Sequence, residues 1–405
     1  MTCSLPRRRF LASLAAAMGA ARAFPAPIDD SLIMVTAQEA AGIRNALSGA
    51  TGRIGERIAQ LRSQADNELK RGPWSVTFHR PNDKFDPHDY FSEGPYFWPD
   101  PKNPNGPYIR RDGERNPQRF EHNHNDLGAM ATSVLTLGAA AYLFGEDRYA
   151  QHAAENLSTW FLDAATRMNP NLEHGQAIRG VNDGRGTGLI DTVSLIHCCQ
   201  GVLLLEKAGK LDASAASELR DWFGQFLAWM TTSAKGKQEG KSGNNHATWW
   251  TAQVAAYATL TRNRDAFQLA CDRYKTYLVP EEIQPDGSCP REEARTNSLS
   301  YSVFNADAFA TLCRIAQSGG VDLWRFQTPN GVSYEKLVRY VEPYVLHPDR
   351  WKKKQISKYN PNAAVFLGLA GAGLHAPDLI EAYKTLPRSD SAWVALIDLI
   401  TLTRA

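Results

Sequence analysis

The chain has 405 residues and a formal charge of +2; 43% of its residues are hydrophobic and 22% charged. This is the composition of a globular protein, with room for one large domain or two ordinary ones. A balance this close to neutral lacks the strong basic excess of a nucleic-acid binder, so a polyanionic partner would have to be met by locally gathered cations. The ten Trp residues suit either a large core or sugar-stacking platforms.

In chain order, Arg7-Arg8-Arg9-Phe10-Leu11, the apolar run Leu14 to Met18 and Ala21-Arg22-Ala23 predict a twin-arginine signal peptide over residues 1–23. The stretch is too short and too Ala-rich for a membrane span. Residues 24–405 are then the exported domain, periplasmic or secreted, with a charge of −2 once four Arg are removed. Ile43 to Leu69 reads as one or two amphipathic helices. Residues 72–124 are rich in Pro, Gly, Asn, Asp and aromatics and read as a long loop-rich segment. From Leu127 onward apolar residues recur at three-to-four spacing: Leu127 to Leu143, Tyr149 to Phe161, Leu189 to Leu205, Ala215 to Met230, His246 to Leu260 and Asp265 to Leu278. The pattern continues through Leu299 to Ile315, Tyr334 to Val345, Ala363 to Leu369, Leu379 to Thr385 and Ser391 to Leu402. Short turn-rich connections and little strand signal predict an all-α fold, an incomplete α/α toroid of antiparallel helix pairs in one domain. The five cysteines beyond the signal, Cys198, Cys199, Cys271, Cys289 and Cys313, are odd in number and lack a CxxC. They read as buried thiols, with room for one disulfide.

Two clusters carry chemistry. Gly243-Asn244-Asn245-His246 opens a helical run, placing amides and an imidazole at a helix mouth; simple N-capping would explain the asparagines equally well. Arg295-Thr296-Asn297-Ser298-Leu299-Ser300-Tyr301 puts an Arg near a Tyr at another helix start, with Thr296 or Asn297 as cap. A neighbouring cation lowers a phenol's pKa and suits it to act as a base; a core Tyr beside a surface Arg is the plainer alternative. His122-Asn123-His124-Asn125-Asp126 has the residue types of a metal site, of a helix cap, or of a cleft rim.

Together the two clusters resemble the alginate-lyase superfamily of polysaccharide lyases, in which an Asn-His pair on one helix faces an Arg and a Tyr on another. Upstream, Gly94-Pro95-Tyr96-Phe97-Trp98-Pro99-Asp100-Pro101 and Pro107-Tyr108-Ile109-Arg110-Arg111-Asp112-Gly113-Glu114-Arg115-Asn116-Pro117 resemble two further segments of that family. The spacing from Arg295 to Tyr301 departs from that of the mannuronate-specific members and is closer to a divergent branch that includes glucuronan lyases. The resemblance implies a polyuronate substrate, alginate or β-1,4-glucuronan, cleaved by syn β-elimination without metal or cofactor. It implies catalytic roles for Asn245, His246 and Arg295 in neutralising the uronate carboxylate, and for Tyr301 as base and acid. Substrate contacts are expected from Trp98, Arg110, His124, Asn125, His174, Gln176, Arg179, Asn244 and Lys354. No nucleic-acid or membrane partner is expected, and the chain should be a monomer or weak homo-oligomer. Two alternatives stay open: an α/α-toroid glycoside hydrolase, which needs two carboxylates flanking the bond, and a non-catalytic polyuronate-binding protein.

Overall fold

The structure is a computed structural model that describes residues 31–402; the expected signal segment lies outside the described residues. Among the described residues two amphipathic helices, α1 (Ala37–Asn45) and α2 (Gly52–Glu68), come first. Gly49 and Gly52, both at positive φ, part them, settling the one-or-two question with a turn that β-carbons disfavour. A long arm follows, carrying β1 (Phe91–Glu93), β2 (Phe97–Trp98) and β3 (Ile109–Arg110). It leads into α3 (His122–Phe144) and α4 (Asp147–Leu157), then β4 (His174–Ala177), which pairs in parallel with β1, while β2 and β3 form a small antiparallel ladder. The remaining helices are α5 (Leu195–Lys207), α6 (Ala213–Thr232), α7 (Ala234–Gly240), α8 (Asn245–Leu260), α9 (Arg264–Arg273), α10 (Val279–Glu282) and α11 (Pro290–Glu293). They continue with α12 (Ser298–Ser318), α13 (Tyr334–Leu346), α14 (Phe366–Leu374), α15 (Pro377–Thr385) and α16 (Ala392–Leu402). The fold is all-α, an α/α toroid of paired helices with the loop-rich arm across one mouth.

Departures from the sequence reading are local. The run Leu189 to Leu205 is not one helix: residues Gly186–Thr192 form a 3-10 segment and α5 begins at Leu195. Two other expected helices close in π turns, Ser158–Leu162 and Tyr274–Leu278. All five cysteines are buried and free.

The inner helices are apolar nearly all round, as helices packed on every side must be. α3 is long and apolar enough to cross a membrane by length and composition, but it is mostly enclosed by its neighbours. It runs against α5 at backbone contact: a Cβ added to Gly138 would meet the Gly201 carbonyl oxygen at 2.5 Å, and one added to Gly201 would meet that of Val134 at 2.4 Å. α8 is buried at every position except His246. A curled strap, Leu32 to Val35, is also buried. Its Ile33, Met34 and Val35 N–H groups converge on Gln200 Oε1 of α5 at 2.6–3.2 Å, and Arg314 of α12 donates to the Met34 carbonyl at 2.8 Å.

Candidate active site

The helices α8 and α12 both begin at one cleft, of about 990 Å³, roofed by the arm. Two helix N-termini opening on the same space favour negative charge there. Asn244 caps α8 through its side chain, accepting from the His246 N–H at 3.3 Å. The connector before it is locked. Gly243 has φ +64°, and its carbonyl accepts from Arg291 Nη1 at 2.7 Å.

His246 meets the cleft with one edge. Its Nδ1 lies 2.5 Å from Glu239 Oε1 of α7, a carboxylate only 1% exposed. That contact orients the ring and turns Nε2 outward, the arrangement by which a carboxylate selects a histidine tautomer. Asn245 is held from behind. Its backbone N–H and its side-chain Nδ2 both donate to Glu292, at 2.7–2.9 Å, while its Oδ1 is buried without a partner. The expectation that Asn245 offers an amide donor to the substrate therefore meets a structural reason against it: Glu292 has taken the donors.

On α12, Tyr301 stands in the first turn. Arg295 Nη2 donates to its hydroxyl at 2.7 Å and the guanidinium covers its ring at 3.7 Å from the centroid. Tyr96, from the arm, places its own hydroxyl 2.7 Å from that of Tyr301. Asp112 bolts arm to helix: it accepts from Arg295 Nη2 at 2.7 Å and Nε at 3.2 Å, and from Thr296 N and Oγ1 at 3.1 and 3.0 Å. Burial would raise the Asp112 pKa, but these donors win and hold it well below the usual carboxylate range. Thr296 is thus spent on Asp112, and α12 starts after Asn297 without a side-chain cap. The expected lowering of the Tyr301 pKa is reversed. Burial pushes it up first and Tyr96 adds to the rise, outweighing Arg295; the phenol rests neutral.

The structure brings Asn245, His246, Arg295 and Tyr301 to one cleft, and with them Arg110, His124, Gln176 and Asn244. It does not bring Trp98, Asn125, His174, Arg179 or Lys354 into that lining. Trp98 Nε1 donates to the Glu114 carbonyl at 2.9 Å. Asn125 is exposed on α3, and Lys354 is exposed beyond the cleft lining. His174 stacks on Phe85 at 4.0 Å and contacts the Asp183 carbonyl at 3.0 Å. Arg179 forks onto Glu93 at 2.5 and 2.9 Å. His122, His124 and Asp126 diverge: His122 stacks on His79, Asp126 meets His79 Nδ1 at 2.9 Å, and His124 faces the cleft. Sequence reasoning missed Tyr96, Asp112, Arg185 and Glu239. The first two lay inside the segments that carried the resemblance, and Arg185 sat between glycines in a long loop. Glu239 had no local signal, seven residues before the histidine it holds.

Residues 79–351 match the family described as Alginate lyase. Among solved structures, an alginate lyase from Bacteroides ovatus is 32% identical, with a TM-score of 0.84 over 90% of this chain and 98% of that one. The alginate lyase A1-III of Sphingomonas species A1 shares the fold at 16% identity, with a TM-score of 0.56 over 87% of this chain and 93% of that one. A Pseudomonas aeruginosa alginate lyase is 29% identical over 112 residues, 27% of this chain and 30% of that protein; the match spans less than a third of that relative's length. The fold and cleft are those of a polysaccharide lyase. The chain belongs to the alginate lyase family.

Proposed function

We propose that this protein cleaves a β-1,4-linked polyuronate, mannuronate-rich alginate or glucuronan, by syn β-elimination without a metal. The observation that carries the reading is the Tyr301 hydroxyl, gripped by Arg295 and Tyr96 at the mouths of two helices beside His246. In a 4-linked uronate the C5 proton is α to the carboxyl group, and its removal builds negative charge on that group. Fixed donors aimed there lower the barrier, as in an oxyanion hole. The Arg295 guanidinium serves that purpose, with the N-termini of α8 and α12 behind it; His246, whose Nδ1 is held by Glu239, donates there from Nε2 when both ring nitrogens carry a proton. The Tyr301 phenolate takes the C5 proton. The C4–O4 bond then breaks as the C4=C5 double bond forms, and the phenol returns the same proton to O4. The resting phenol must first lose its proton to solvent; thereafter the residue ends each cycle as the phenolate it began as, and no further acid is needed. Mannuronate and glucuronate differ at C2, away from the atoms that react, so one set of residues serves both.

The test is to incubate residues 24–405 with polymannuronate, polyguluronate, glucuronan and glycosaminoglycans while following ultraviolet absorbance. Growth of the unsaturated uronyl chromophore on the first or third, undiminished by exhaustive chelation, is the expected result. Reducing ends without that absorbance would mean hydrolysis instead.

A further inference from the structure

Four cleft arginines have clear electrostatic settings. Arg110 and Arg295 share Asp112, Arg119 pairs with Glu121, and Arg115 stands exposed to water. Arg185 differs from all of them. It lines the cleft half-buried, yet among the described residues no carboxylate pairs with it. Its donors go to two neutral oxygens of one residue: Nε to the Gln176 carbonyl at 3.0 Å and Nη2 to Gln176 Oε1 at 2.7 Å. A guanidinium carries five N–H groups, so the rest of the fork is unspent. The Phe97 ring lies 4.9 Å away, and burial already presses the guanidinium pKa downward. Asp191, behind Gln176, and Glu239 act on it from a distance without touching it, and a partly desolvated cation with no directly paired carboxylate is costly to keep.

The fold goes to some length to hold it there. Gln176 is 7% exposed and sits at φ +49°, a strained conformation for a residue with a side chain. Its Nε2 donates to Asp191 Oδ1 at 2.8 Å and its backbone N–H to Ser92 Oγ at 2.8 Å. Asp191 is further satisfied by Tyr90 at 3.0 Å and Ser92 at 2.6 Å. The glycines on either side of Arg185 leave no slack: a Cβ on Gly184 would meet the Glu173 carbonyl at 2.0 Å, and one on Gly186 that of Lys235 at 2.6 Å. The guanidinium also stands beside the reacting groups. A Cβ on Gly94, two residues before Tyr96, would come within 3.1 Å of Arg185 Nη2, and Glu239, the partner of His246, lies within its electrostatic reach.

We infer that Arg185 is a second carboxylate receptor, prebuilt on the Gln176–Asp191 frame, which seats the acid group of the unit next to the one being cleaved. This rests on the polyuronate reading above and sharpens it: the favoured polymer carries uronates on consecutive units, and chains with an acid only on every second sugar bind less well.

The test reads binding apart from turnover. In a Tyr301→Phe background, the Kd of a mannuronate tetrasaccharide is measured with and without Arg185→Gln, then repeated with the same oligosaccharide after its carboxyls are reduced to primary alcohols. Losing a hydrogen-bonded charge contact worth about 1.5–3 kcal/mol corresponds to roughly a 10- to 150-fold weaker Kd. That loss is expected on the acidic ligand and should vanish on the reduced one. Equal binding by Arg185→Gln, or the same loss on both ligands, overturns the inference. If Arg185→Gln does not fold by thermal melting, Arg185→Lys replaces it. Lysine keeps the charge but cannot both span Gln176 and fork a carboxylate, so a smaller loss confined to the acidic ligand is expected, and unchanged binding overturns the proposal. If the unmodified protein releases no unsaturated product from any polyuronate, the lyase reading fails by itself, and the binding cycle still decides the role of Arg185.

Discussion

A buried phenol makes a poor base until something removes its proton, and in this cleft two neighbours pull in opposite directions. Arg295 favours the Tyr301 phenolate; burial and the Tyr96 hydroxyl disfavour it more strongly. Two outcomes follow for single residues. Tyr301→Phe keeps the ring and its guanidinium cover but removes the group that carries the proton. Turnover should drop by at least about 10²-fold, the usual worth of an acid–base group, while binding of the tetrasaccharide persists. Retention of near-parental turnover by a folded variant would pass the base role to His246. Tyr96→Phe removes a neighbour that raises the Tyr301 pKa. The phenolate is the active form, so activity should climb with pH in the parent, and the climb should move to lower pH in Tyr96→Phe. A pH–rate profile of kcat/KM that is superimposable for the two proteins would refute this account of their hydrogen bond.

At the scale of elements, the arm depends on one carboxylate for its dock on α12. Asp112→Asn removes the charge that Arg295 and Thr296 both address, so the arm should loosen over Tyr301. Limited proteolysis within residues 94–116 should quicken, and kcat/KM should fall; an arm as resistant as the parent's would show that other contacts hold it. The α3–α5 seam makes a separate prediction. Gly201→Ala would push a methyl group into the Val134 carbonyl, and overpacking of this kind costs about 1–3 kcal/mol, visible as a lower urea midpoint. Most of these helices were legible beforehand because their apolar spacing is local. The π turns and the 3-10 segment before α5 were not, because they keep helical hydrophobicity while changing the hydrogen-bond step. His246, Arg295 and Tyr301 were legible because residue type and helix start coincide in them. Glu239 and Gln176 were not: each acts through a partner the fold brings to it, and a buried Glu or a strained Gln looks ordinary in a sequence. His174 and Arg179 lie outside the cleft lining, their polar atoms engaged by Asp89 and Asp183 and by Glu93.

Across the whole molecule, buried acids set how stability should depend on pH. Glu282 is 4% exposed and accepts from Thr248 and Asn305; burial, with Glu292 nearby, pushes it from an ordinary 4.5 up to about 8. Between those values the native state holds a proton that the unfolded chain has released. Its contribution to stability is therefore full below about pH 4.5 and is lost as pH rises through about 8. Glu282→Gln should flatten that decline in denaturation midpoints measured across the window; an unchanged slope would place its origin elsewhere. We also propose that the chain is exported already folded, so that Arg7→Lys with Arg8→Lys should strand the precursor in the cytoplasm, whereas normal maturation would argue against the twin-arginine route. Export after folding bears on the buried strap. Leu32 to Val35 leaves the ribosome ahead of its anchors: Gln200 follows about 165 residues later and Arg314 about 280 residues later. At roughly 5–20 residues per second the strap waits about 15–55 s for the second of them. Throughout that interval its four apolar side chains lack their native cover, so the strap is made early but closes late in folding.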